Sequence, residues 1–317
     1  MTRTALLAGM LTVLCGVAAT SVRGWDDEGH MIVAYVAYEQ LLPPARDRVD
    51  ALLKLNPKYD AWLAALPAGG SQSDTNMMIF MVAATWPDQI KQDPSYSADG
   101  SDRGDRPDGS PDPTRNTGYG DKLMHKYWHF VDQPFASDGT TLPAIPTPNA
   151  QDRITLFRSV LASSAGDDLK SYDLVWLLHL VGDVHQPLHC ATRVDKNDTN
   201  GDAGGNLVKL SCSGCPSELH AFWDEVLGTS KNPKSAIGAA KKLPAPDPAL
   251  AAKSSEADWV AESLEGSQKD VYTPPIEPGP GPFQLTPAYK GAAQRLAQQR
   301  VALAGVRLAN LINQELK

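Results

Sequence analysis

The stretch Tyr172-Asp-Leu-Val-Trp-Leu-Leu-His179-Leu-Val-Gly-Asp183-Val184 is apolar around almost its whole circumference when wound as a helix. Such a helix has no face to offer water and must run through the core. His179 and Asp183, near its end, are four residues apart, so both project from one face. Pro187 stops the helix, and His185-Gln186-Pro187-Leu188-His189 turns the chain back. The same spacing recurs at His220-Ala-Phe-Trp-Asp224. One such pair is ordinarily a surface ion pair. Two of them, with His189 following a helix too apolar to be exposed, point instead to a buried cluster. Burying that many ionisable groups without counter-charge costs about ten kcal/mol in all, a cost divalent cations remove. Histidine with aspartate and without cysteine suits zinc in a site built for chemistry.

Working outward, residues 26–55 carry apolar side chains at helical spacing (Ile32, Val33, Val36, Ala37, Leu41), broken at Pro43-Pro44. Residues 77–85 read as a second buried helix ending at Trp86-Pro87-Asp88, and 150–164 and 218–227 as further helices. A Pro-rich crossing at 274–287 leads into a final amphipathic helix with Leu296, Val301, Leu303, Val306 and Leu311. Residues 93–121 are rich in Asp, Gly, Pro and Ser and lack the closing Glu of a calcium loop, so they read as a solvated surface loop, as do 134–148. Strand-like alternation is scarce and no internal repeat is present. The expectation is one mainly α-helical domain over residues 25–317.

The first 24 residues read as a secretory signal peptide: a basic start at Arg3, an uncharged run from Ala5 to Ala19, and Val22 and Gly24 suited to cleavage before Trp25. Cleavage would remove Arg3 and Arg23, taking the net charge from −8 to −10. The remaining 293 residues hold no membrane-spanning run, so a secreted or periplasmic protein without a membrane partner is expected. With 42% hydrophobic and 21% charged residues the chain is not disordered. Its acidity excludes charge-driven duplex binding. Export places Cys190, Cys212 and Cys215 in an oxidising compartment. Three is odd: Cys212 and Cys215 can close a local disulfide, or Cys190 can pair with either. A zinc ribbon would need a second cysteine pair. Asn197-Asp-Thr199 is a glycosylation sequon for a eukaryotic source.

Taken together, 178–189 (Leu-His-Leu-Val-Gly-Asp-Val-His-Gln-Pro-Leu-His), Gly204-Gly205-Asn206, Leu219-His220-Ala-Phe-Trp-Asp224, Gly29-His30 after Trp25, Trp86-Pro87-Asp88 and His129-Phe130-Val131-Asp132 resemble the S1/P1 nucleases in content and order. The resemblance implies the single-domain helical fold of the phospholipase C/P1 nuclease type and a trinuclear zinc centre. Asp88, His129, His179 and Asp183 would hold one ion, and His189, His220 and Asp224 a second. The backbone amine and carbonyl of Trp25, with His30 and the shared Asp183, would hold a third. It further implies that Asp132 orients the attacking water, Lys91 counters transition-state charge, and Phe130 and Asn206 receive a base. Five histidines, three aspartates and a freed amine give about three ligands per metal, leaving positions for water and substrate. His125 and His185 fall outside this set and read as surface or neighbouring residues.

The implied function is an exported, monomeric endonuclease on single-stranded DNA and RNA, leaving 5′-phosphates and acting on 3′-mononucleotides. Clustered zincs suit phosphodiester hydrolysis without a protein nucleophile, and stacking on an unpaired base tolerates any sequence. The rival readings are a zinc-dependent phospholipase C-like phosphodiesterase and a non-catalytic, exported zinc-binding protein.

Overall fold

A computed structural model describes residues 24–67, 69–100 and 116–316. The proposed leader, up to residue 23, and the middle of the acidic stretch, 101–115, lie outside them. The described chain forms twelve α-helices: α1 (Asp27–Tyr38), α2 (Pro43–Leu53), α3 (Tyr59–Ala65), α4 (Gln72–Ala83), α5 (Trp86–Gln89), α6 (Ala150–Ala162), α7 (Asp167–Asp183), α8 (Leu219–Glu225), α9 (Pro233–Ala240), α10 (Pro248–Ala251), α11 (Glu256–Gly266) and α12 (Pro287–Glu315). The only named sheet among the described residues is one pair of two-residue parallel strands, β1 (Pro134–Phe135) beside β2 (Thr192–Arg193). The fold is mainly helical.

Helix α7 is the axis. Every residue from Ser171 to Asp183 is buried, and α1, α2, α5, α6 and α12 all pack against it. Each fully buried Leu, Val or Phe of this kind contributes about 1.5–3 kcal/mol. Truncating the fully buried Trp176 to Ala should cost about 3–5 kcal/mol. The helix begins five residues before its apolar run. Its first turn, Asp167 and Asp168, is charged and suits the positive end of the helix dipole. At the other end Gln186 takes an extended conformation before Pro187, as a residue preceding proline must, and a 3₁₀ turn, Pro187–Cys190, follows.

Boundaries elsewhere follow local chemistry. Pro43 and Pro44 occupy the first two positions of α2, so the expected break is a helix start. Helix α4 starts five residues before its apolar stretch because Ser71 and Asp74 form a capping box; Asn149 and Asp152 do the same for α6. The acidic 93–121 stretch is not wholly a surface loop: Tyr96, Asp99 and Asp121 are buried. Its two flanks are tied together by Ser97 N–H to Lys122 O (2.7 Å) and Met124 N–H to Ser97 O (2.9 Å). The largest core surrounds α7. A second apolar cluster (Leu188, Val208, Leu219, Trp223, Ile276, Tyr289) underlies the loop from Gly204 to Leu219. The Cys212–Cys215 disulfide packs beside it, and Cys190 is a buried free thiol.

Candidate metal centre

Six elements deliver ionisable side chains to one place. Helix α1 supplies His30, α5 supplies Asp88, and the 3₁₀ turn Lys126–Trp128 ends at His129. Helix α7 supplies His179 and Asp183, the turn after it His189, and α8 His220 and Asp224. All eight are buried, the most exposed retaining 6% of its surface. Asp183 is the hub. Its carboxylate lies 3.1 Å from His129 Nδ1, 3.2 Å from His179 Nε2, 3.4 Å from His30 Nε2 and 3.8 Å from His189 Nδ1. Asp88 Oδ1 lies 3.7 Å from His179 Nε2 and 3.8 Å from His129 Nδ1. His220 Nε2 lies 3.2 Å from His189 Nε2 and 3.6 Å from Asp224 Oδ2. Three groups emerge whose candidate ligand atoms lie within 4.8 Å of one another: His30, Asp88 and His179; His129, His179 and Asp183; His189, His220 and Asp224.

The rings are aimed from outside. Nδ1 of His179 lies 2.8 Å from Ala84 O, Nδ1 of His189 2.7 Å from His129 O, and Nδ1 of His220 2.7 Å from Gly204 O. A carbonyl only accepts, so each Nδ1 carries the proton and donates it, leaving the Nε2 lone pair to face the cluster. Gly204 needs to be glycine: its φ is +60°, and a Cβ would come 2.7 Å from Leu188 O. Within the cluster several atoms have no hydrogen bond, namely both ring nitrogens of His30, Asp88 Oδ2 and Asp183 Oδ1. Buried polar atoms are normally satisfied. Here the unsatisfied ones belong to imidazoles and carboxylates whose candidate ligand atoms converge, which is the donor set a cation takes.

The protein's own charges prepare this set. Burial alone would raise the Asp183 carboxyl, but His179, His189 and the hydrogen bonds of His129 and His179 outweigh it and hold it well below the usual carboxylate range. Burial also opposes ionisation of Asp88, and Lys91, then His179, reverse that. Burial, with Lys91 next, pushes His129 down to about 3, so its imidazole is neutral. Asp224 goes the other way: burial raises it well above its ordinary value against the Gln186 hydrogen bond, and Asp88 and Asp183 add repulsion. A cation beside it would favour its ionised form.

The remaining site candidates divide. Lys91 is buried with its Nζ 2.9 Å from Asp88 Oδ1, so it meets a carboxylate of the cluster rather than solvent. Asp132 lines a cleft of about 590 Å³ with Pro143, Pro146, Thr192, Asn200 and Gly201. Asn206 donates from Nδ2 to Ala203 O, and Ala203 is another wall residue of that cleft. Phe130 retains 7% of its surface and packs in the main core. Trp25 is fully buried and donates from its indole to Gly182 O. Gly24, before it, lies against the hub: a Cβ there would collide with the Asp183 carboxylate and come 3.0 Å from His30 Nε2.

His125 and His185 are not surface residues. His125 is buried between Asp99 (2.6 Å) and Asp121 (3.1 Å) and stacked 3.5 Å over Trp128. His185 is fully buried, donating to Val181 O and accepting from Arg307. The surface alternative falls because groups that cover them, Asp99 for His125 and Arg307 for His185, come from other parts of the chain. Gln186 was overlooked: it sits inside the quoted run, and its place just before Pro187 was the available signal.

A family model described as S1/P1 Nuclease matches residues 25–317. Among curated relatives, the chain is similar to Endonuclease 1 of Arabidopsis thaliana, 26% identical over 235 residues that cover 70% of this chain and 59% of that protein. It is 27% identical to Nuclease S1 of Aspergillus oryzae over 125 residues, 38% of this chain and 36% of the relative. It is 23% identical to Endonuclease 2 of Arabidopsis thaliana over 215 residues, 68% and 60% respectively. The matches thus span less than two thirds of each relative's own length.

Proposed function

Because the chain belongs to the S1/P1 nuclease family, we propose that it is an exported, zinc-dependent endonuclease that hydrolyses single-stranded DNA and RNA. Its products would carry 5′-phosphates, and 3′-mononucleotides would also be substrates. The observation that carries this is the convergence of three buried His/Asp groups on the Asp183 carboxylate, with inward atoms left unbonded. Asp88, His129, His179 and Asp183 would hold one zinc, and His189, His220 and Asp224 a second. His30, Asp183 and the Trp25 amine and carbonyl would hold the third. The Gly24 contact supports that last set: removing residues 1–24 frees the amine and vacates the place beside Asp183 and His30. Zinc bound in such a site supplies a hydroxide-like nucleophile near neutral pH and neutralises phosphodiester oxygens.

The protein's own groups do the rest. The backbone carbonyls of Ala84, His129 and Gly204 keep three imidazoles in one tautomer, so no reorientation accompanies the reaction. Lys91 keeps Asp88 ionised and lends positive charge beside the reacting phosphate. Asp132, three residues after His129 and facing the cleft, accepts a proton from the attacking water and orients it. No Lys or Arg is among the residues lining the cleft, so a strand there would be gripped by its bases; the family resemblance names Phe130 and Asn206 as their partners, of which Phe130 packs in the core and Asn206 bonds the cleft wall at Ala203. That favours unpaired over duplex substrates.

The test combines zinc counting by native mass spectrometry with digestion of single-stranded DNA, duplex DNA, RNA and a 3′-mononucleotide. Three zincs per chain, loss of activity on chelation with recovery on adding zinc, and 5′-phosphate ends on single strands are expected. Tight zinc binding without turnover, or release of phosphocholine from lipid in place of nucleotides, would overturn the reading.

A further inference from the structure

Gln186 is fully buried and belongs to none of the three ligand groups, yet its amide ties one of their members, Asp224, to the turn that carries another, His189. Its Nε2 donates to Asp224 Oδ1 at 2.8 Å. Its Oε1 accepts from Leu188 N–H at 2.5 Å, capping the 3₁₀ turn that carries His189. Asp224 Oδ2 is left on the side of His220, 3.6 Å from its Nε2. The backbone of Gln186 has little freedom, since Pro187 confines it to extended conformations.

Building on the metal-centre reading above, we propose that Gln186 is the positioning residue for the ion held by His189, His220 and Asp224. The chemistry selects an amide. A carboxylate in its place would set an oxygen where Nε2 now donates, 2.8 Å from Asp224 Oδ1. A hydrophobic side chain would leave both the carboxylate oxygen and the Leu188 N–H unmatched. Only a side chain with both donor and acceptor, long enough to span them, serves the two at once. The imidazoles of His179, His189 and His220 are aimed by backbone carbonyls. The Asp224 carboxylate is aimed instead by a side chain, Gln186.

Two variants test the proposal. Gln186→Glu keeps an acceptor for Leu188 N–H but sets an oxygen against Asp224. Gln186→Met keeps the length and loses both bonds. Zinc is titrated into chelator-stripped protein and counted by native mass spectrometry, the visible spectrum of the cobalt-loaded form is recorded, and unfolding of the metal-free protein is followed by heat. Both variants are expected to bind one of three zincs about 10- to 100-fold more weakly, with one set of cobalt bands altered. Metal-free Gln186→Glu should unfold within a few degrees of the parent. Retention of all three affinities in both variants overturns the proposal, as does equal weakening of all three ions with a lower metal-free unfolding temperature, which marks a purely structural role. A parent protein that binds no zinc would instead overturn the metal-centre reading itself.

Discussion

Two buried clusters of charge flank the same short segment, residues 183–190, and they are finished differently. On one side, His185 donates to Val181 O (2.7 Å) and accepts from Arg307 (2.9 Å), while Arg300 donates to His185 O (3.2 Å) and Ser263 Oγ (2.6 Å). Glu262 takes Arg307 through both oxygens at 2.8 and 2.9 Å and Arg300 at 3.2 Å. No side-chain nitrogen or oxygen of His185, Glu262, Ser263, Arg300 or Arg307 is left without a hydrogen bond. On the other side stand His30, Asp88 and Asp183, just as deeply buried, with atoms that no protein group satisfies. Both clusters gather ionisable groups into the interior, so burial of charge by itself does not mark a functional site. What separates them is closure. A network that satisfies itself braces helices α7, α11 and α12, and one left open toward its own centre is made for an added cation.

Opening or neutralising each cluster should therefore damage different properties. Asp183→Asn removes the hub and should lower nuclease activity by at least about 10³-fold, some 4 kcal/mol in barrier, with more than one zinc lost. The melting temperature of the chelated form should not fall, because a buried charge has been removed. Glu262→Gln should do the reverse, costing about 3–5 kcal/mol of stability by stranding two buried guanidiniums, with zinc count and activity below the melting transition unchanged. Its partners, after burial's opposing effect, hold the Glu262 carboxyl down to about 2, below its ordinary 4.5. A depressed acid contributes stability that is complete above the unfolded value and is lost as pH falls through the folded one. The gap in melting temperature between parent and Glu262→Gln should thus be full at pH 6 and shrink from about 4.5 toward 2. A gap that persists at pH 2 would refute the ion-pair account.

Smaller effects sharpen the boundary. His30→Ala touches the hub from one side only and should cost about 10- to 100-fold in activity with one zinc lost, less than Asp183→Asn; a reversed order would move the hub elsewhere. Cys190 lies between the clusters, its thiol donating to Val184 O at 3.4 Å. Cys190→Ala should cost about 1–2 kcal/mol in chemical unfolding and leave the zinc count intact.

Much of this was legible before any coordinates. Helix α7 was readable because its apolar residues leave no polar stripe, and the His-x3-Asp spacing placed both side chains on one face whatever surrounds them. Helices α3, α9, α10 and α11 were not, since none carries a chemical motif and α3, α9 and α10 run to eight residues or fewer. The start of α7 was missed because its first turn is charged, and that of α4 because its cap lies outside the apolar run. His185 could not be assigned, because Arg300 and Arg307 reach it from more than a hundred residues away.

By itself, then, the order of amino acids determined the central helix, the inventory of imidazoles and carboxylates, and the local spacing that pairs them, all of which depend on neighbours within a turn or two. Only the tertiary structure decided which buried groups find a partner and which remain open, joined Gln186 to Asp224, and set Gly24 against Asp183. Hydrogen-bond satisfaction in a core depends on atoms brought together by packing, and those atoms come from any distance along the chain.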